Sequence, residues 1–125
     1  MSKKSLLIID DDVSLCKLLE AIFGASYKVT VKHDTVSATY WLTEGNRVDL
    51  IISDLNLPDL SGLDLIKFTK NSGIFNDIPF MVLSGSENHR KECSENGIEY
   101  YVLKPFDPEV LLDKVNGILK ETVGS

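Results

Sequence analysis

Residues 6 to 12 read Leu6-Leu7-Ile8-Ile9-Asp10-Asp11-Asp12. A short apolar run without alternation is the signature of a strand covered on both faces of a parallel sheet, and the switch to aspartate marks where that strand leaves the core. The same pattern recurs along the chain. Leu50-Ile51-Ile52 gives way to Ser53-Asp54, Phe80-Met81-Val82-Leu83 to Ser84-Gly85, and Tyr100-Tyr101-Val102-Leu103 to Lys104-Pro105. A fifth segment, Tyr27 to Val31, alternates Tyr27, Val29 and Val31 with polar residues and reads as a strand nearer an edge.

Helical periods fill the gaps between these strands. Leu15, Leu18, Leu19 and Ile22 mark one apolar stripe, and Leu111, Val115, Ile118 and Leu119 mark another. Asp12 and Asp107 stand where N-caps belong, the latter followed by Pro108 at the first helical position. Weaker helical segments cover Thr35 to Thr43 and Ser61 to Ser72, and the weakest covers Glu87 to Glu95, where Cys93 is the only apolar residue. Strand and helix alternate throughout, which predicts an α/β fold of (βα)5 type. Its five-stranded parallel sheet is doubly wound, with helices on both faces and right-handed crossovers. One domain is expected over residues 1–121, with 122–125 as a tail.

Composition excludes several classes. The chain has 125 residues, 13 Lys plus Arg against 19 Asp plus Glu, and 43% hydrophobic residues. That is one soluble domain with room for a core. A net charge of −6 repels phosphate backbones and anionic headgroups, so no direct nucleic-acid or membrane binding is expected. The apolar run after Met1 to Lys4 is too short for export, no stretch is long enough to span a bilayer, and Cys16 and Cys93 form no metal-type cluster. A cytoplasmic location is predicted.

Chemistry collects after the apolar runs. In a parallel sheet the carboxyl ends of all strands open at one edge, where open α/β folds place their ligands. Asp10, Asp11, Asp12, Asp54, Ser84 and Lys104 are therefore brought together. Singly each has a plain explanation: Asp12 and Ser84 as helix caps, Lys104 as a solvated strand-end lysine. Together the carboxylates repel one another unless a cation sits among them, and a hard, oxygen-lined site suits Mg²⁺. His33 and His89 read as exposed, Trp41 as core, Tyr40 as surface, and Gly62 as a residue that permits a turn.

The runs Leu6 to Asp12, Asp49 to Gly62 with its Asp54-Leu55-Asn56-Leu57-Pro58 centre, Ser84-Gly85 and Tyr101-Val102-Leu103-Lys104-Pro105-Phe106 resemble, in order, the receiver domain of two-component response regulators. The resemblance implies the flavodoxin-like strand order 2-1-3-4-5. It implies that Asp54 is the phosphoacceptor, that Mg²⁺ is held by Asp10, Asp11, Asp54 and the backbone carbonyl of Asn56, and that Lys104 and Ser84 contact the phosphoryl group. Ser84 and Tyr101 would be the switch pair, with Tyr101 swinging inward after Ser84 moves. The implied partners are a sensor histidine kinase or phosphotransfer protein, and an effector met through the fourth helix, fifth strand and fifth helix. The protein would be a monomer or a phosphorylation-dependent dimer, and a signalling protein rather than an enzyme. The stretch between Ser84 and Lys104 is shorter than is usual in the family, and its helix lacks the normal apolar stripe.

Two other readings compete. Asp10-Asp11-Asp12 loosely fits a haloacid-dehalogenase phosphatase, with Asp10 as nucleophile and Asp12 as general acid. A receiver-like module that docks partners without being phosphorylated is the second.

Overall fold

Successive side chains of a strand point to opposite faces, so a run that is apolar at every position is stable only when both faces are covered. The computed structural model, which describes residues 3–57, 59 and 61–122, has this arrangement. Strands β1 (Ser5–Ile9), β2 (Lys28–Lys32), β3 (Leu50–Asp54), β4 (Phe80–Ser84) and β5 (Tyr100–Leu103) are parallel, in the order β2-β1-β3-β4-β5. Helices α1 (Val13–Phe23), α2 (Thr35–Thr43), α3 (Gly62–Lys70), α4 (Arg90–Glu95) and α5 (Pro108–Thr122) connect and follow them. Residues 123–125 of the expected tail lie outside the described residues.

The two faces of the sheet divide the core. Leu6, Ile8, Leu50, Ile52, Met81 and Leu83 meet Cys16, Leu19 and Phe23 of α1 and Leu111, Val115, Ile118 and Leu119 of α5. Leu7, Ile9, Ile51, Phe80 and Val82 meet Ala38 and Leu42 of α2, Leu65 and Ile66 of α3, and Cys93 of α4. Each such fully buried Leu or Ile contributes about 1.5–3 kcal/mol, so the two cores on opposite faces together hold the helices against the sheet. The α1 stripe is rotated from its expected position: Leu18 is exposed, and Cys16 and Phe23 take the buried places. The edge strand begins one residue later than its alternation suggested. The Tyr27 N–H is drawn back to the Phe23 carbonyl at 2.9 Å, closing the end of α1, and its ring packs edge-on against Phe23.

Caps set the helix starts. The carboxylate of Asp12 accepts from the Leu15 N–H at 3.1 Å, Asp34 from Ser37 at 2.7 Å, and Asp107 from Glu109 at 2.9 Å. The helix expected over Glu87 to Glu95 starts only at Arg90, because the residues before it form a turn instead. The Ser86 hydroxyl accepts from the Asn88 N–H, the Glu87 carboxylate holds Arg90, and His89 makes no side-chain cap. Six residues with one buried side chain, Cys93, make a helix held by little besides its own turns. Amide exchange across Arg90–Glu95 is accordingly expected to be at least roughly 100-fold faster than across Val13–Phe23. Equal protection of both helices in a hydrogen-exchange experiment would contradict this.

Sheet order carries the site. Strands are added on one side of β1 and then on the other, so the crossovers separate between β1 and β3 and leave a crevice at their carboxyl ends. Ile9 is paired with Ser53, which brings the next residues, Asp10 and Asp54, side by side.

Candidate functional site

Asp10 and Asp54 lie at that crevice, 1% and 8% exposed, and Asp11 stands beside them at the surface. Carboxylate oxygens of all three lie within 4.8 Å of one another. Lys104 reaches in from the end of β5, its Nζ 3.0 Å from Asp10 Oδ2 and 3.4 Å from Asp54 Oδ2. Its backbone is anchored by donating to the Ser84 carbonyl at 2.8 Å, and it precedes Pro105 through a cis peptide bond. The expected Asp10, Asp11, Asp54 and Lys104 are thus one cluster.

Burial pushes the Asp10 carboxyl above its ordinary pKa, with the Asp54 charge acting in the same direction; the Asp12 N–H and the Lys104 ammonium pull it back only in part. Burial disfavours the Lys104 ammonium, yet its bond to Asp10 and the charges of Asp10 and Asp54 outweigh this and raise its pKa. Lys104 therefore stays cationic. Three carboxylates facing one ammonium leave negative charge uncompensated, and their oxygens are the hard donors that Mg²⁺ or Mn²⁺ selects. The residues present fit such an ion.

The remaining site residues are close by. Asn56 is exposed and donates its N–H to Asp54 Oδ1 at 3.3 Å. Ser84, buried at the end of β4, donates its hydroxyl to the Ser86 carbonyl at 3.1 Å and accepts from the Ser86 N–H at 3.2 Å. Tyr101 differs from its expected starting position, because its side chain is already packed inward. Its hydroxyl donates to the same Ser86 carbonyl at 2.5 Å, and the Arg90 guanidinium lies over its ring at 4.6 Å. The cation–π contact and the hydrogen bond together explain why the ring is not left in water.

Other features escaped the sequence reading. Gly62 is not a positive-φ glycine; Gly45 and Gly97 are the ones among the described residues. It opens α3 against the end of β3 so closely that a Cβ would meet the Asp54 carbonyl oxygen at 2.4 Å and Leu55 Cα at 2.8 Å. Asp59 spans from the loop after Asp54 to the start of α2, accepting from the Thr35 and Val36 N–H groups at 2.9 and 2.8 Å. His33 is exposed as expected but has a backbone partner, the Asp10 carbonyl, 2.9 Å from its Nδ1. Tyr40 is exposed and Trp41 packs against the core, as expected.

A model of the response regulator receiver domain matches residues 6–116. The chain belongs to this family. It is similar to the phosphate regulon transcriptional regulatory protein PhoB of Pseudomonas aeruginosa, 30% identical over 98% of this chain and 54% of that protein. A chemotaxis protein CheY homolog of Campylobacter jejuni is 27% identical over 91% of each chain. Among solved structures, a response regulator from Chloroflexus aurantiacus superposes with a TM-score of 0.88 at 30% identity, covering 95% of this chain and 99% of that one. This receiver therefore spans about half of PhoB and nearly all of the CheY homolog. It is a signalling module of two-component systems with the flavodoxin-like fold expected for it. The phosphatase reading finds no support, since the exposed Asp12 carboxylate caps α1 through Leu15 rather than standing free as an acid. No helix among the described residues is long and apolar enough to cross a membrane.

Proposed function

We propose that Asp54 accepts a phosphoryl group from the phosphohistidine of a sensor kinase or phosphotransfer protein, within a receiver domain spanning residues 1–121. The observation that carries this reading is the position of Asp54 at the end of the central strand β3, under the Lys104 ammonium and beside Asp10 and Asp11. An Asp54 carboxylate oxygen attacks phosphorus, the P–N bond breaks, and its electron pair stays on the imidazole nitrogen. No general base is needed, because the nucleophile carries no proton to remove. Lys104 neutralises one phosphoryl oxygen and the Ser84 hydroxyl donates to another. Asp10, Asp11, Asp54 and the Asn56 carbonyl would hold Mg²⁺, which when bound supplies positive charge that offsets the repulsion between Asp54 and the incoming group.

Output follows from the Ser86 carbonyl, on which Ser84 and Tyr101 converge. Were Ser84 to turn toward the phosphoryl group, it would release its hold on Ser86, and the packing of Tyr101 and Arg90 would change with it. The face affected is the groove of α4, β5 and α5, lined by Arg90, Leu103, Phe106, Val110 and Lys114. An effector, or a second copy in a phosphorylation-dependent dimer, would read that face. The apolar Leu103, Phe106 and Val110, set among Arg90, Asp107 and Lys114 of mixed charge, support a protein partner there.

Intact-mass analysis after incubation with acetyl phosphate and Mg²⁺ tests the assignment. One added phosphoryl group is expected on the wild type and none on Asp54→Asn, which keeps the shape and removes the nucleophilic charge. Equal labelling of both proteins would refute it, and no labelling of the wild type would favour a docking module.

A further inference from the structure

Strand β2 delivers one residue to the site that the phosphoryl chemistry does not use. Ile9 is paired with Lys32, so His33 emerges next to Asp10, whose N–H donates to the Lys32 carbonyl at 3.1 Å. The other side of that backbone segment is held as well. The Asp10 carbonyl oxygen has His33 Nδ1 at 2.9 Å and Cys16 Sγ at 3.4 Å, the thiol arriving from the first turns of α1. A carbonyl oxygen only accepts, with two lone pairs. Hence Nδ1 carries the proton, both side chains donate, and the 4.0 Å approach of Sγ to Nδ1 is the spacing of two donors on one acceptor. That nitrogen cannot also bind a metal.

This carbonyl belongs to the peptide unit joining Asp10 to Asp11, so whatever holds its plane constrains the directions in which the two side chains leave the backbone. The Asp10 carboxylate has further restraints of its own, from the Asp12 N–H at 2.9 Å and from Lys104. Asp11 is exposed, and its direction depends on the backbone that carries it. We infer that His33 is a positioning residue for the acidic cluster: with Cys16 it pins the Asp10–Asp11 peptide so that both carboxylates face Asp54 and the divalent cation. The inference rests on reading Asp10, Asp11 and Asp54 as cation ligands, and it concerns the hydrogen bond that Nδ1 donates rather than any change of charge. Donors behind metal ligands usually matter by about 10- to 100-fold in affinity, and a single exposed one belongs at the low end.

The test uses the full chain, with Mn²⁺ as the probe and free Mn²⁺ counted by electron paramagnetic resonance. His33→Ala is expected to raise the Mn²⁺ dissociation constant roughly 10-fold. His33→Asn is expected to recover most of the loss, because its side-chain amide nitrogen sits the same number of bonds from the backbone as Nδ1. In the metal-free protein the Asp10 carbonyl ¹³C resonance should move upfield in His33→Ala and return in His33→Asn. Equal Mn²⁺ affinities for wild type and His33→Ala, or a loss that Asn does not restore, would overturn the inference. A wild type that binds no Mn²⁺ would overturn the cation reading and this inference with it. The metal-free carbonyl shift distinguishes that outcome from a failure of the hydrogen bond itself.

Discussion

Gly62→Ala is expected to lower the free energy of unfolding by roughly 3 kcal/mol, the upper range for forcing a methyl group into packed surroundings. Gly62 is the first residue of α3, where helix propensity weighs little, so a loss of this size reports the contact itself. At this position the added Cβ would meet the Asp54 carbonyl oxygen at 2.4 Å and Leu55 Cα at 2.8 Å, and both are backbone atoms that cannot rotate away. Relief requires α3 to lift off or the end of β3 to bend. The Gly62 N–H also donates to the Leu55 carbonyl at 2.8 Å, so lifting the helix breaks that bond too. Bending β3 displaces the Asp54 carboxylate, and phosphorylation by acetyl phosphate should slow in parallel. Urea denaturation of the two proteins measures the loss. A change smaller than about 0.5 kcal/mol, the size typical of innocuous surface substitutions, would show that the contact is relieved without strain.

Asp10→Asn is expected to act with opposite signs in the two ionic states of the site. The folded protein holds the Asp10 carboxyl above its ordinary pKa, chiefly through burial. The folded state therefore binds that proton more readily than the unfolded chain does. The resulting stability is fully present below the unfolded pKa and is lost as pH rises through the folded one, so at neutral pH the metal-free fold carries an unfavourable buried charge. Asn removes the charge and keeps an oxygen for the Asp12 N–H, and Lys104 keeps Asp54 at 3.4 Å. Metal-free Asp10→Asn should be more stable than wild type by on the order of 1 kcal/mol at pH 7. The advantage should shrink as the pH falls and Asp10 of the wild type takes up its proton. With Mg²⁺ at 100 times its dissociation constant the wild type gains about 2.7 kcal/mol, a gain the variant should largely lack. The ranking by thermal melting should thus reverse on adding Mg²⁺. A variant less stable than wild type without metal, or equally stabilised by it, would contradict the argument.

The strands were legible in the sequence for a physical reason: residues buried on both faces leave no polar position, and Leu6 to Ile9 or Leu50 to Ile52 can be little else. Their abrupt ends at Asp10, Asp54, Ser84 and Lys104 exposed the site in the same way, since parallel strands must open together. What could not be read was whatever depends on approach between distant segments. Gly62 looks like any turn glycine until α3 is laid against β3. Side chains that serve the backbone were equally hidden: His33 on Asp10 and Asp59 on α2 use partners that every residue possesses, so no pairing pattern betrays them. The start of α4 was set by competing turn hydrogen bonds from Ser86 and Glu87, which local propensity does not rank. Tyr101 lies inward because Arg90 covers it, and the short helix that brings Arg90 there was itself the weakest signal in the chain.

The two cysteines, one in α1 and one in α4, make the molecule its own gauge of opening. The Cys16 thiol is pushed up to about 12, first by burial and then by the charges of Asp10 and Asp12, and burial likewise raises Cys93. At neutral pH the Cys16 thiol stays protonated, and neither side chain is accessible in the folded state. An alkylating reagent therefore reacts only with molecules that have opened. Cys93 would report the brief unseating of six residues, and Cys16 the loss of a helix packed across the sheet. Two labelling rates from one unmodified chain thus time a local and a far larger disruption separately.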